Sequence, residues 1–299
     1  MKFTKKTELG DPSSNKQDFI DINIKLSCCR YWLLDMWDCH DMVFPFWRIY
    51  WNKNLGGELR HHKGIYKMSP DYIYIIAPFT SFSSQFSKKH VYNTGIHVSG
   101  KHLTDDINEA DFEEKSLFHF FVHFNLGVPF DHVYPGVFKI KLTDYLKDRL
   151  HYLTKKLKIE NKNFKMTFNL KLQSFIKEAI SNIGAELWKT INIDERVLNV
   201  LRYIEINIHS KLSNSNLAEI VNMAPNSFAR LFRKEMNITL HNFIQKRKIA
   251  RACELFEHSE KTIEDVTFDL SFSDRYHFSR VFKSITGITP AVYRSGRYT

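Results

Sequence analysis

Between residues 31 and 142 the apolar positions fall in short aromatic and β-branched runs, such as 46–51, 72–76 and 118–124, set apart by turn residues such as those at 54–57. Residues of this kind suit a pleated, half-buried surface, so the texture predicts a β-rich domain, a barrel or a jelly roll. From about Thr143 the period changes. Leu146, Leu150, Leu153 and Leu157 fall on one helical stripe, and Phe175, Ile176, Ala179, Ile180, Ile183 and Leu187 on another. Both stripes predict helices packed against the barrel, and the 4-3-4 spacing of the leucines also suits a short seam between two copies of the chain.

Beyond Ile193 the pattern is one of short helices with recognisable starts. Asp194, Ser213, Thr239, Thr262, Ser273 and Thr289 each stand where a side-chain oxygen can cap a helix, and Pro290 follows the last of them. Seven helices are predicted in about 105 residues. The chain therefore reads as an α+β protein of two domains. Residues 1–26 form a polar N-terminal arm without a clear period; residues 27–190 form a β-barrel-like domain ending in helices; residues 193–299 form an all-α domain.

A length of 299 residues is enough for two such domains, and a composition 43% hydrophobic with few Gly and Pro excludes a disordered chain. The formal charge of +10 points to an acidic partner such as nucleic acid. It is spread over both halves, with 16 Lys and Arg against 12 Asp and Glu from residue 193 onward and 27 against 21 before it. Local counts are sharper. Residues 225–251 hold seven basic side chains and one acid, and residues 270–297 hold five and one. The four cysteines form no C-x-x-C pair and no apolar run approaches the ~20 residues of a membrane span, so a reduced, cytoplasmic setting without a membrane is expected.

The function rests on an internal repeat. Phe228-Ala-Arg-Leu-Phe-Arg-Lys234 returns fifty positions later as Phe278-Ser-Arg-Val-Phe-Lys283, and each copy follows a short apolar helix and a tight connection. Two helix-turn-helix units are implied. In each, two Phe four residues apart share a face and can pin the helix to its domain. The outward face then carries Asn226, Ala229 and Arg230 in the first copy and Arg275, Tyr276, Ser279 and Arg280 in the second, all expected to read base edges. Arg can bond guanine bidentately in a major groove, and Asn can bond adenine. Ser227, Arg233, Lys234, Ser273 and Lys283 are expected to meet phosphates, which adds affinity without sequence choice. A long joining helix, 240–256, can set the two readers about one DNA turn, roughly 34 Å, apart. Its cluster Lys246-Arg247-Lys248 with Arg251 suits either the DNA backbone or a solvated face.

These residues resemble the AraC/XylS transcription regulators. The likeness runs over 193–297 and is carried by Leu217-Ala218, the Phe228/Phe232 pair, Ile249-Ala-Arg-Ala252, Phe272-Ser-Asp274, Tyr276-x-Phe278-Ser-Arg-Val-Phe-Lys283 and Thr286-Gly-Ile-Thr-Pro-x-x-Tyr-Arg294. It implies that residues 27–190 are a cupin-like barrel for sensing or dimerisation, and it implies binding to double-stranded promoter DNA in a bacterium, usually activation, a contact with RNA polymerase, a homodimer, and a small-molecule effector inside the barrel. Three positions depart from the family pattern: Ala224 where Ser is usual, Ser271 where Gly is usual, and Lys248 where Arg is usual.

Other chemistry is weakly supported. A cupin metal site needs closely spaced His with a carboxylate; His61, His62, His97, His119, His123 and Glu58 offer the types, and His119 and His123 share a strand face, but no His-x-His with a following Glu appears. Trp32, Trp37, Trp47 and Trp51 suit a core or stacking on a sugar ring. No nucleophile elbow or phosphate-cradling loop is present, so no catalytic residue, metal or cofactor is expected. A non-specific DNA-coating protein and a barrel enzyme with an accessory DNA domain are the alternatives.

Overall fold

The computed structural model describes residues 22–86, 96–107, 109–112, 115–160, 163–191 and 193–295. Its first part is one antiparallel sheet of nine strands: β1 (Lys25–Val43), β2 (Trp47–Asn52), β3 (Glu58–His61), β4 (Gly64–Lys67), β5 (Tyr72–Ile76), β6 (Ser81–Gln85), β7 (Ile96–His102), β8 (Leu117–Asn125) and β9 (Val137–Lys141). The strand order is β4-β3-β6-β1-β8-β2-β5-β9, with β7 also paired to β1. Register shifts between Leu26 and Cys28, Leu34 and Met36, and Cys39 and Met42 bend the 19-residue β1, letting one strand serve β8, β7 and β6 in turn. No pairing of β4 with β9 occurs among the described residues, so the barrel-like domain takes the form of a curled sheet, a half-barrel with two edges. The strand begins at Lys25, inside the stretch expected to be an arm; residues 1–21 lie outside the described residues.

Alternation across the strands sorts the sheet into two buried faces. Tyr31, Leu33, Trp47, Ile49, Ile73, Ile75, Phe118, Phe120, Val122 and Phe124 point to one face, covered by α1 (Asp144–Ile159) and α2 (Met166–Ser181). All four leucines of the predicted seam are buried there, together with the Phe175–Leu187 stripe. The seam reading is therefore corrected: α1 spends its apolar face on its own sheet. The opposite face carries Trp37, Cys39, Phe44, Phe46, Tyr50, Tyr74 and Phe82. Burial on both sides explains why β8 reads as a nearly unbroken apolar run, Leu117–Asn125, rather than a clean alternation.

The remainder is helical: α3 (Glu195–Ile206), α4 (Asn214–Glu219), α5 (Pro225–Met236), α6 (Leu240–His258), α7 (Ile263–Asp269), α8 (Arg275–Thr286) and α9 (Pro290–Ser295). These match the seven expected helices. Asp194, Ser213, Thr239 and Thr262 cap as anticipated, and Thr289 Oγ1 accepts the Val292 N–H. Ser273 does not. Asp274 caps α8 by accepting the His277 N–H at 2.7 Å, and the Ser273 hydroxyl donates to the Asp274 carboxylate.

The two helix-turn-helix units are built alike but cored differently. The first, α4–α5 with α3 and the start of α6, closes its own core around Val200, Leu217, Phe228, Phe232 and Phe243. In the second, Val266, Leu270, Phe278, Phe282 and Tyr293 join Phe44, Tyr50 and Phe82 of the sheet in a single core.

Candidate DNA-reading face and its docking on the sheet

Each recognition helix is anchored by its phenylalanines. Phe228 and Phe232 are fully buried with rings 6.0 Å apart, as are Phe278 and Phe282 at 5.7 Å. The repeat extends to the ends of the helices: Asn237 closes α5 in the left-handed region (φ 52°) and Gly287 closes α8 there (φ 82°), each two residues before the Thr that caps the next helix. In both units the turn ahead of the recognition helix also needs a left-handed residue, Asn222 (φ 52°) in the first and Ser271 (φ 51°) in the second. Asn tolerates that backbone well. Ser tolerates it less, and here its hydroxyl donates to the His209 carbonyl at 2.6 Å, which offsets part of the cost.

With the phenylalanines pinned, the opposite face is open. Asn226, Arg230, Arg233 and Lys234 on α5 are exposed, as are Arg275, Tyr276, Arg280 and Lys283 on α8 and Ser273 ahead of it. Ala229, Ser279 and Ser227 are half-buried beside the helix axes. Neither Arg230 nor Arg280 makes a hydrogen bond or ion pair with any described residue. Tyr276 is 82% exposed, unusual for so large an apolar ring. Arg275 is engaged by an exposed ion pair with Glu264, which aims its guanidinium along the surface toward α7. Around α5, Asn226, Ala229, Arg230, Arg233 and His241 line a shallow concavity.

Ala224 occupies the cap position of α5 with an extended backbone (φ −64°, ψ 139°) and no side-chain bond. Ala224→Ser is expected to supply that bond and raise stability by about 1 kcal/mol, read as a rise in the midpoint of denaturant unfolding.

The basic cluster of α6 is where structure and sequence part. Arg247 and Lys248 are 8% and 6% exposed. Arg247 forks onto both oxygens of Glu205, at 2.5 and 2.7 Å, and faces the fully buried Asp131 at 3.9 Å. Lys248 donates to the Leu270 carbonyl at 2.6 Å, Lys246 lies over the Phe79 ring at 4.3 Å, and Arg251 pairs with Glu254. The cluster is thus neither a phosphate rail nor a solvated face. It ties α6 to α3, to the second unit and to the sheet domain.

That docking runs the length of α6. Asp131 accepts the Leu126 N–H at 2.8 Å and the Gly127 N–H at 3.2 Å, fixing the loop after β8, while His132 stacks on Phe243 at 4.3 Å. Burial pushes the Asp131 carboxyl up to about 6 against the pull of Arg247 and these donors. Further along, Lys25 pairs with Glu254, and Phe44 packs on Tyr293 at 6.0 Å while the Arg48 guanidinium lies 3.4 Å over the Phe44 ring. The backbone at Gly287 approaches the Asp41 carbonyl so closely that a Cβ would sit 3.0 Å from it.

The histidines of the sheet do not assemble a metal centre. His119 donates its Nδ1–H to Asn52 Oδ1 at 2.7 Å, and burial with the Arg48 charge holds it down at about 3; His123 is lowered by the same causes. Among the described residues no three His, Cys, Asp or Glu side chains converge to hold a metal. Of the four tryptophans considered for stacking, Trp37 and Trp47 are buried in core and Trp32 packs against it. Trp51 is half-buried beside a cleft.

Residues 217–296 match a family model described as a helix-turn-helix domain. The C-terminal third is an AraC-type helix-turn-helix domain. This AraC-type domain is 32% identical over 104 residues to an uncharacterised HTH-type transcriptional regulator of Staphylococcus aureus strain COL, covering 35% of this chain and 14% of that protein. It is 30% identical over 101 residues to the regulatory protein PocR of Salmonella typhimurium, covering 34% of this chain and 33% of PocR. The match thus spans a third or less of these curated relatives. Over nearly the whole chain the fold is similar to that of apo ToxT from Vibrio cholerae, with a TM-score of 0.56 at 11% identity, covering 94% of this chain and 99% of ToxT. The curled sheet followed by the AraC-type domain is therefore a ToxT-like two-domain fold. No helix among the described residues is long and apolar enough to cross a membrane.

Proposed function

We propose that the protein is a bacterial transcription regulator that reads a promoter through α5 and α8, with its DNA affinity set by a small molecule acting on the docking of the second unit. The observation that carries this reading is the pair of exposed, unengaged arginines, Arg230 and Arg280, at equivalent places of two helices each pinned by a buried phenylalanine pair. A solvated helix has no need of such an arrangement twice. Because the second unit shares its core with the sheet, α8 takes its orientation from the sheet domain, and anything that shifts the sheet against α6 also shifts one reader against the other.

A groove of about 610 Å³ lies at that junction, with Phe79 and Tyr134 on the sheet side, Met236 and Lys246 on α5 and α6, and Ile285 on α8. A ligand seated there would touch both units and the sheet domain. It would change DNA affinity only by binding one arrangement better than another. ToxT in one of its structures holds an unsaturated fatty acid, at a TM-score of 0.50 and 13% identity to this chain, which supports a small-molecule effector in preference to a catalytic role. Activation through RNA polymerase, a homodimer and a cytoplasmic location belong to the same proposal on the family resemblance.

Binding of the intact protein to genomic fragments tests the reading. Sites recovered by pull-down from sheared genomic DNA are expected to bind at least about 10³-fold more tightly than shuffled DNA at physiological salt. Equal affinity for both would mark a DNA-coating protein instead.

A further inference from the structure

A second cleft of about 610 Å³ opens on the other side of the sheet, between β1, β2 and α1, away from the reading helices and the junction groove. Tyr31 and Trp51 line it together with Leu150 of α1 and Pro70. The Trp51 ring is held in place: its indole N–H donates to the Pro70 carbonyl at 2.8 Å, and the Tyr31 ring lies 6.5 Å away at 31°. Its polar edge is satisfied, and its face remains for an apolar contact.

The polar groups around this floor are mostly donors. Lys53, Lys147, Lys155 and Lys158 line the cleft against only two carboxylates, Asp105 and Glu109. Glu109 is spent on holding Lys53 and Lys158, both of which pair with it. Its ion pairs keep the carboxyl below its usual range although burial opposes them. Lys147 is matched by the fully exposed Asp144 alone, at 3.5 Å, and Lys155 has no partner among the described residues. Burial, reinforced by Glu109, pushes the Tyr31 hydroxyl well above its usual range, so it also stays protonated.

We propose that this cleft binds a small ring compound carrying an anionic group, with the ring on Trp51 and the anion at Lys147 and Lys155. The volume lies in the range of small-molecule sites, roughly 300–1,000 Å³, and an apolar floor with a few convergent polar groups is their usual make-up. A rim rich in N–H donors and short of acceptors discriminates against neutral polyols, which need both, and favours carboxylate, phosphate or sulfonate. Glu109 keeps two of the lysines in fixed positions, so less side-chain freedom is lost when the anion arrives. The ligand would also bridge α1 to β1 and β2, across the pair of elements that carries the sheet's outer core.

The intact protein titrated with 8-anilinonaphthalene-1-sulfonate and with N-phenyl-1-naphthylamine, the same rings without the sulfonate, tests this. The sulfonate is expected to bind one per chain with blue-shifted emission, and the neutral compound at least about tenfold more weakly. Lys147→Glu with Lys155→Glu changes two exposed side chains, so the melting temperature should hold while the sulfonate's affinity falls by about tenfold or more. Trp51→Ala should weaken both probes. Equal affinity for the two probes, or sulfonate binding unmoved by the double lysine substitution, overturns the proposal. Neither outcome bears on DNA reading, which uses no residue of this cleft.

Discussion

Arg247→Ala is expected to destabilise the protein by about 3–5 kcal/mol, the cost of removing one partner from a buried ionic group. The guanidinium is 8% exposed, forks onto Glu205 and faces Asp131, whose side chain is wholly buried. Without it, Asp131 keeps only its backbone N–H donors and the Asn125 amide, and α6 loses its ionic tie to both α3 and the loop after β8. Denaturant unfolding measures the loss. Arg247→Lys should recover only part of it, since an ammonium cannot make the fork.

The same site gives the protein a pH signature of unusual sign. The Asp131 carboxyl titrates near 6 in the folded chain, against an ordinary value of 3.8. Between those values the folded state holds a proton that the unfolded state has released, so stability falls as pH rises from about 4 to about 6 and is flat above. The amplitude is up to about 3 kcal/mol at 1.36 kcal/mol per pH unit. Other carboxylates titrate in this window too, and Asp131→Asn isolates the effect: the difference in unfolding free energy between the two proteins should slope between pH 4 and 6 and level off above it. A difference that is constant with pH would show that Asp131 is ionised throughout.

Much of this molecule can be read from its sequence, and the failures share a cause. The helical stripes, four of the caps and both phenylalanine wedges are local patterns, each decided within a few residues, and they reappear in the fold. The αL demand at Ser271 was visible as a departure from glycine and is met at a φ of 51°. What a local pattern cannot carry is the identity of a partner. Lys246, Arg247 and Lys248 look like a solvated or DNA-facing patch because Glu205 and Asp131 stand 42 and 116 positions before Arg247. A signal was present nonetheless. Phe243, Ile244, Ile249, Ala252, Cys253 and Phe256 leave no polar face on α6, and a helix apolar on several sides is a central one, whose cations must find partners inside. The leucine stripe of α1 erred in the opposite direction. Four residues at coiled-coil spacing are equally a helix lying on a sheet, and the sheet beside it took them.

Arg230→Ala and Arg280→Ala are each expected to cost about 1–3 kcal/mol in promoter binding and to relax the choice of base at one position, while Lys283→Ala weakens binding to all sequences alike. The contrast follows from geometry. Arg230 and Arg280 sit two residues after Phe228 and Phe278, so each projects roughly opposite the buried wedge, where a helix in the major groove meets base edges. Lys283 lies one residue after Phe282, displaced toward the flank of α8, where phosphates run. Its loss should lower the slope of log affinity against log salt by about 1. The two units should also respond differently to damage in the sheet domain. The buried core of the first is made of its own residues, with Val128 and His132 of the sheet domain only packed against it, and the second borrows Phe44 and Tyr50 from the sheet. Phe44→Ala, at the Tyr293 contact, should therefore leave discrimination at the Arg230 position intact and blur it at the Arg280 position, as measured by binding to single-base variants of one promoter. Equal blurring at both would mean that α8 is oriented by α6 alone.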